Sequence, residues 1–171
     1  RGFKELRLQL IAEALTELEI EVNSSLAALG LPDWELTFQV DRETKGGSIQ
    51  RGFSVLVRSP SWSASVPWEA WSGGEAQRLR LAANMGLSNL IRSRTGTSLN
   101  IEVWDEPTKN LSERGIQDLL QALASRAQQE QRIIWVVDHH AHHFGKFAGG
   151  ATVVKTGKGS QIITTIPEVG E

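Results

Sequence analysis

Apolar side chains recur at steps of three and four along residues 1–29: Phe3, Leu6, Leu10, Ala14, Leu15, Leu18, Val22, Leu26 and Leu29. That spacing places them on one stripe of a helix, with Glu, Lys and Arg on the other faces. Gly30 followed by Leu31-Pro32 is a stop signal. The pattern predicts an amphipathic helix. It either packs on a globular lobe or forms the last turns of a coiled coil entering one, and the stretch is too short for a sustained heptad to separate the two.

The period then changes. Trp34–Asp41 and Gly52–Arg58 alternate between apolar and polar residues around a polar loop containing Lys45-Gly46-Gly47. This predicts an antiparallel β-hairpin with a long connection. Residues 59–70 carry Pro60, Pro67 and several serines and read as a loop, with Trp62 and Trp68 anchoring it to the core or, less simply, meeting a partner or an adenine ring.

Helical spacing returns in Trp71–Arg92, with a stripe at Leu79, Ala82, Ala83, Met85, Gly86 and Leu90 and a basic face at Arg78, Arg80 and Arg92. Leu99–Trp104 reads as a short strand ending in Asp105-Glu106-Pro107-Thr108. Ser112–Gln129 reads as a helix capped by Ser112, with its stripe at Ile116, Leu119, Leu120, Leu123 and Ala127. Arg132–Val137 is a near-continuous apolar run, the pattern of a buried parallel strand, and it ends in Asp138-His139-His140. Ala151–Thr156 and Gln161–Ile166 predict a second hairpin around Gly157-Lys158-Gly159. Strand, helix and strand in this order form a βαβ unit of an α/β sheet, in which ligands sit at the carboxyl ends of the strands. Asp105, Glu106 and His139 all fall there.

Composition narrows this picture without redrawing it. The 171 residues suit one domain or one large lobe, and 40% hydrophobic residues are enough for a packed core. A net charge of −2 gives no global basic signature for nucleic acid, although a local basic groove stays open. With no cysteine there is no disulfide framework and no thiolate metal site, which fits a reducing cytoplasm. No apolar run is long enough to span a bilayer, so no membrane partner is expected. The chain opens inside a helix and reads as a piece of a longer protein.

Candidate chemistry sits in three places. Ser72 precedes Gly73 and Gly74 at a helix start, and Glu75 completes a capping-box pattern. Two glycines let a ligand approach the backbone N–H groups, and the helix dipole favours an anion such as phosphate. A plain capped surface helix has the same pattern. Asp105 and Glu106 end an apolar strand, where one carboxylate can hold Mg²⁺ and the other can orient or deprotonate a water. A simple turn has the same residues. His139 ends the next strand, as a functional imidazole or a surface one. His140, His142 and His143 suggest a metal site, but with no Cys or fixed carboxylate partner they read as loop residues.

In this order and spacing the motifs resemble the C-terminal lobe of the ABC-type ATPase family. Trp71–Glu75 is similar to its signature motif, residues 99–106 to Walker B with its catalytic glutamate, residues 109–112 to the D-loop and residues 136–139 to the switch, or H-loop. The resemblance implies that Ser72, Gly73 and Gly74, with Glu75, bind the γ-phosphate of ATP held by an opposite subunit. It implies that Asp105 supports Mg²⁺, that Glu106 polarises the attacking water, that His139 senses the γ-phosphate and that Ser112 lies in the nucleotide-facing D-loop. Trp71 stands in place of the usual signature leucine and Ser112 in place of the usual D-loop aspartate.

No GxxxxGK[ST] string occurs, so this chain lacks Walker A and its ATPase activity would be incomplete without a Walker A lobe. Residues 1–30 as a coiled-coil end and 31–171 as the ATPase lobe resemble the split heads of SMC-like DNA-repair ATPases, above all the SbcC-type exonuclease subunits. The fold expected is therefore α/β, an incomplete P-loop NTPase-like head. The partners implied are the N-terminal Walker A lobe of the same protein, a second head in a homodimer, a nuclease subunit and DNA. An UvrA-like excision-repair protein shares the SGGEAQRLRLA string, but that family interleaves zinc-binding cysteines; a transporter nucleotide-binding domain is the other alternative.

Overall fold

The computed structural model describes residues 2–43, 49–97, 100–139 and 145–165. Helix α1 (Gly2–Ala28) runs the length expected from its stripe. Strands β1 (Glu35–Glu43) and β2 (Ile49–Arg58) pair antiparallel, with an irregularity between Gln39 and Asp41. A short strand β3 (Val66–Pro67) adds to β2, and Trp68–Ala70 form a 3₁₀ turn, so the segment expected to be a plain loop carries some regular structure. Helix α2 (Gly73–Thr95) follows, then β4 (Ile101–Asp105), α3 (Glu113–Glu130) and β5 (Ile133–Val137). β4 and β5 pair in parallel, Ile101 opposite Ile133 through Asp105 opposite Val137, which makes the expected βαβ unit. β6 (Gly150–Thr156) and β7 (Gly159–Thr165) form the second hairpin.

One apolar core joins these parts. Val22 and Leu26 of α1, Leu29 just after it, and Leu36 and Val57 of the first sheet pack with Leu79, Ala82 and Met85 of α2. Trp104 of β4 and Leu119 and Leu123 of α3 belong to the same cluster. Helix α2 is thus shared between the α1–hairpin layer and the βαβ layer. Its contact with α1 is unusually close: a Cβ built on Gly86 would lie 2.7 Å from the Val22 backbone nitrogen and 2.9 Å from its Cα. Polar contacts flank this crossing, with Asn89 Nδ2 donating to Glu21 Oε2 at 2.9 Å and Arg94 Nε to Glu17 Oε2 at 2.8 Å. The Arg94 hydrogen bond holds the Glu17 carboxyl below its ordinary value. That contribution is therefore present above the unfolded carboxylate range and is lost as pH falls through the lowered value.

Arg78 does not join a free basic face. It donates to the carbonyl of Leu29, just after α1, at 3.4 Å and pairs with Asp118 of α3 at 3.3 Å. Arg92 likewise pairs with Glu130, which leaves Arg80 as the exposed member of the predicted trio.

Helix α1 also guards the open edge of β1. Asn23 Nδ2 donates to the Leu36 carbonyl at 2.9 Å while the Leu36 N–H donates to Asn23 Oδ1 at 2.7 Å. The Phe38 N–H donates to Glu19 Oε2 at 3.0 Å. Two side chains on one helix face stand in for a neighbouring strand and cover the edge that would otherwise invite pairing.

The run Ile133–Val137 is not buried on both faces. Glu102 and Trp104 of β4 and Ile134 and Val136 of β5 face the helices, while Ile101, Val103, Ile133, Trp135 and Val137 are exposed. The parallel pair is covered on one side and bare on the other. The β6–β7 hairpin is bare on both, with Val153 and Ile162 on one face and Val154 and Ile163 on the other.

Helix propensity alone would have Gly86→Ala stabilise the lobe by about 1 kcal/mol. The clash with α1 backbone reverses the sign, and chemical denaturation should show a loss of about 1–3 kcal/mol. Asn23→Leu removes both partners of the Leu36 backbone and should cost about 1–3 kcal/mol in the same measurement.

Candidate active site

The helix start Ser72–Glu75 and the turn after β4 are pressed together. Gly73 has φ +59°, a left-handed value that favours glycine, and open space lies where its Cβ would be. Gly74 is needed for a different reason: a Cβ there would sit 2.9 Å from the carbonyl oxygen of Asn110. Gln77 adds a second tie, donating from Nε2 to the Pro107 carbonyl at 3.2 Å. The signature-like stretch and the D-loop-like stretch of one chain are therefore in backbone contact.

Ser72 occupies the N-cap position of α2, but its side chain makes no capping hydrogen bond, which corrects the capping-box expectation for Ser72 and Glu75. The positive φ of Gly73 turns the chain into the helix differently from a standard cap. The first intrahelical bond is Ala76 N–H to the Ser72 carbonyl at 3.5 Å. The N–H groups before it have no partner within the helix and lie at the positive end of its dipole. Ser72, Gly73 and Glu75 are exposed, so an anion can reach them.

Trp71 is buried and explains its own departure from leucine. Its ring lies 4.6 Å from Trp34 and 6.3 Å from Trp62, centroid to centroid. Trp68 packs against the same core as expected, while Trp62 touches Trp71 by its edge and stays largely exposed. Trp71 thus pins the residue before Ser72 to the α1–β1 junction.

The turn after β4 is strained. Glu106 has φ 45° and Asn110 φ 62°. A left-handed backbone at a residue with a Cβ costs about 1–2 kcal/mol, so neighbouring contacts must hold it. They are present. The Glu106 N–H donates to the Val137 carbonyl at 2.8 Å, extending the β4–β5 ladder by one bond. Lys109 N–H reaches the Glu106 carbonyl at 3.2 Å and Leu111 N–H the Thr108 carbonyl at 3.0 Å. The buried Thr108 hydroxyl donates to Asp138 after β5. Ser112 accepts from Gly115 N–H at 3.2 Å and caps α3 as expected; serine in place of aspartate keeps the cap and gives up a charge.

These constraints aim Glu106 at the end of β5. Its Oε1 meets His139 Nε2 at 2.7 Å, and its Oε2 lies 3.7 Å from Lys109 Nζ. Two residues singled out from the sequence, separated in the chain by the whole of α3 and β5, are thus brought into direct contact. Lys109 and Asp138 fall within motif-like stretches of the sequence, but the Lys109–Glu106 and Thr108–Asp138 contacts are not marked by local spacing; only the fold of the turn makes them.

Asp105 is exposed at the end of β4, in the same alternating set as Ile101 and Val103. It borders a cavity of about 360 Å³ together with Gln77, Arg80, Asn84, Val103 and Trp104. No group of three or more His, Cys, Asp or Glu side chains among the described residues could close around a metal ion. A single exposed carboxylate suits Mg²⁺, which keeps waters and takes its remaining oxygens from phosphates. The extra histidines His140, His142 and His143 lie outside the described residues.

Glu106→Gly and Glu106→Gln both lose the carboxylate, but only glycine relieves the left-handed strain. The glycine variant should be the more stable of the two by about 1 kcal/mol in parallel urea titrations. Equal stabilities would mean that the turn carries no strain at Glu106.

No family model and no curated protein sequence matches the chain. Solved structures do. An SMC ATPase structure described for ATP-driven dimerization and DNA-stimulated activation is 12% identical, with a TM-score of 0.71 over 91% of this chain and 88% of that one. The Smc head domain of Pyrococcus yayanosii, with a coiled coil and joint, is 12% identical with a TM-score of 0.70 over 95% of this chain and 29% of that one. The SMC head domain of Thermotoga maritima is 16% identical with a TM-score of 0.59 over 92% of this chain. The chain spans half of the Thermotoga chain and under a third of the Pyrococcus one. The mixed α/β fold of this chain is the fold of SMC ATPase heads.

Proposed function

We propose that this chain is the C-terminal lobe of an SMC-like ATPase head, with residues 1–30 as the end of a coiled-coil helix and 31–171 as the lobe. The observation that carries the reading is the Glu106–His139 contact of 2.7 Å, which joins the ends of the two parallel strands at the site expected for nucleotide hydrolysis. Ser72, Gly73 and Gly74 bind the γ-phosphate of ATP held by the opposite head, through free helix N–H groups. Asp105 supports Mg²⁺ at the cavity beside β4. His139 draws away from Glu106 to the γ-phosphate when nucleotide arrives, which frees Glu106 to orient the attacking water and accept its proton. Mg²⁺ held by Asp105 would neutralise charge developing on the phosphates.

Two open surfaces support the implied partners. Ile101, Val103, Ile133, Trp135 and Val137 make a bare apolar sheet face beside Asp105. A Walker A lobe of the same protein, laid on that face, brings its phosphate cradle to Asp105. On α1, the stripe that is buried at Val22, Leu26 and Leu29 continues as exposed Phe3, Leu6 and Leu10. A second helix covers it there, as in a coiled coil. No helix among the described residues is long and apolar enough to cross a membrane, and the reading places the protein in the cytoplasm.

Of the SMC-like families, the SbcC-type repair ATPases fit best on motif order and on the hairpin that precedes the signature. In that reading head closure regulates a nuclease subunit on DNA ends, and ATP acts as a switch as well as a fuel. One neighbour is described for ATP-driven dimerization and another as bound to the C-winged helix domain of ScpA, so a non-nuclease partner is the competing outcome.

In the protein at its full natural length, Glu106→Gln should lower ATP turnover at least tenfold while prolonging the ATP-bound dimer, read by sizing chromatography. Ser72→Arg, which places a bulky cation in the helix mouth, should abolish ATP-dependent dimerisation and leave nucleotide binding by the single head intact. Normal turnover in the Gln variant would remove Glu106 from the water-activating role.

A further inference from the structure

A chain of partly buried polar contacts, centred on the buried Arg126 and Arg132, runs from α1 to the strand that presents the carboxylate pair. Glu102 faces inward on β4, three residues before Asp105. Its Oε2 accepts from Arg126 Nε at 2.9 Å and from Arg132 Nη1 at 2.6 Å. Both guanidinium groups are 5% exposed. Arg126 then reaches α2, donating from Nη1 to Asn89 Oδ1 at 2.6 Å and from Nη2 to Ser88 Oγ at 3.3 Å. Asn89 passes the contact on to Glu21 of α1.

Charge and direction both make α1 a member of this chain. Around Glu102 the cations are Arg92, Arg126 and Arg132, and the other carboxylate is Glu130. Those five groups leave one positive charge uncompensated. Glu21 supplies the missing negative charge through Asn89. The Asn89 amide can serve only one way round: turned over, its NH₂ would face the Arg126 guanidinium and its carbonyl the Glu21 carboxylate. Directional polar contacts around buried guanidinium groups fix register, because any slip leaves a charge unpaired.

We propose that Asn89 and Arg126 are positioning residues for the Asp105–Glu106 pair, locking the end of β4 to helix α1 through Glu102. The Glu102 carboxylate sets how far β4 reaches, and so where the strained turn at Glu106 begins. A shift of α1 relative to α2 changes the Asn89–Glu21 contact first and reaches the carboxylates through Arg126. This rests on the reading of Glu106 as the water-orienting base, but its structural half does not.

The test uses the full-length protein. Asn89→Asp keeps the acceptor for Arg126 and sets a carboxylate against Glu21. It should raise amide hydrogen exchange in peptides spanning residues 100–110 and lower kcat about tenfold with KM little changed, the usual size for loss of a group that orients a reacting one. Adding Glu21→Gln restores both polarity and net charge, and the double variant should recover both readouts. Glu21→Ala, on the half-buried flank of α1, gives the same direction of change if Asn89→Asp fails to fold. A lowered Tm with unchanged exchange at residues 100–110 and unchanged kcat would make the chain of contacts a stability element only and overturn the proposal. Raised exchange with normal kcat would also overturn it, since the strand would move without consequence for the carboxylates. If Glu106→Gln itself turns over normally, the reading of the site fails, while the exchange rescue still decides whether α1 is tied to β4.

Discussion

Helix α2 packs into a common core with two layers, and the rest of the structure depends on that double contact. On one side it meets α1 so closely that Gly86 has no room for a Cβ against Val22. The same core then runs through Leu79 and Met85 to Trp104 of β4 and Leu119 of α3. Because α2 cannot slide against α1 without backbone overlap, its first turn has a fixed position. That turn holds Gly73 and Gly74 and abuts Asn110 and Pro107 of the strand-end turn. A packing constraint near the middle of the helix therefore sets the geometry of the anion-facing backbone at its start.

The carboxylate end of the site is set by strain rather than by packing. Glu106 and Asn110 both adopt positive φ, and the turn between them is held by the bond to Val137, the two short-range backbone bonds and the Thr108–Asp138 link. Such a turn would relax unless its surroundings over-determined it. Asp105 and Glu106, neighbours in sequence, face different environments: Asp105 the cavity it shares with Gln77, Arg80 and Asn84 of α2, Glu106 the imidazole of His139. Alternation along the strand already sends adjacent side chains to opposite sides; the left-handed turn and its bond to Val137 then hold Glu106 where it meets His139.

Much of this was legible in the sequence, and the misses have physical causes. Among the described residues, periodicity placed the three α-helices and both hairpins within a few residues, because 3.6- and 2-residue repeats report burial directly. The parallel pair and the gathering of Asp105, Glu106 and His139 at one end followed from strand order. Ser72 as a side-chain cap did not survive, since the pattern S-x-x-E cannot see the left-handed φ of Gly73. Arg78 and Arg92 looked like a solvated face because their acidic partners, Asp118 and Glu130, lie 38 to 40 residues away. The contacts through Asn23, Asn89 and Arg126 were invisible for the same reason: polar residues on a helix give no periodic signal, and only the packed layers show which are buried.

The strand Ile133–Val137 misled in an instructive direction. Its unbroken apolar run reads as burial on both faces, and the lobe buries only one. Five large apolar side chains, Ile101, Val103, Ile133, Trp135 and Val137, remain exposed on a single face. Scattered exposed apolar residues are ordinary, but a contiguous face of this kind marks a surface that something else covers. These side chains are only about half exposed, so at about 1.5–3 kcal/mol for full burial of each, covering the remainder of all five would contribute roughly 4–9 kcal/mol before ordering costs. That is comparable to the whole net stability of a typical domain, about 5–15 kcal/mol. The sequence pattern was therefore sound as a statement about the strand's needs: the residues are those of a central strand, and nothing among the described residues supplies the second layer they require.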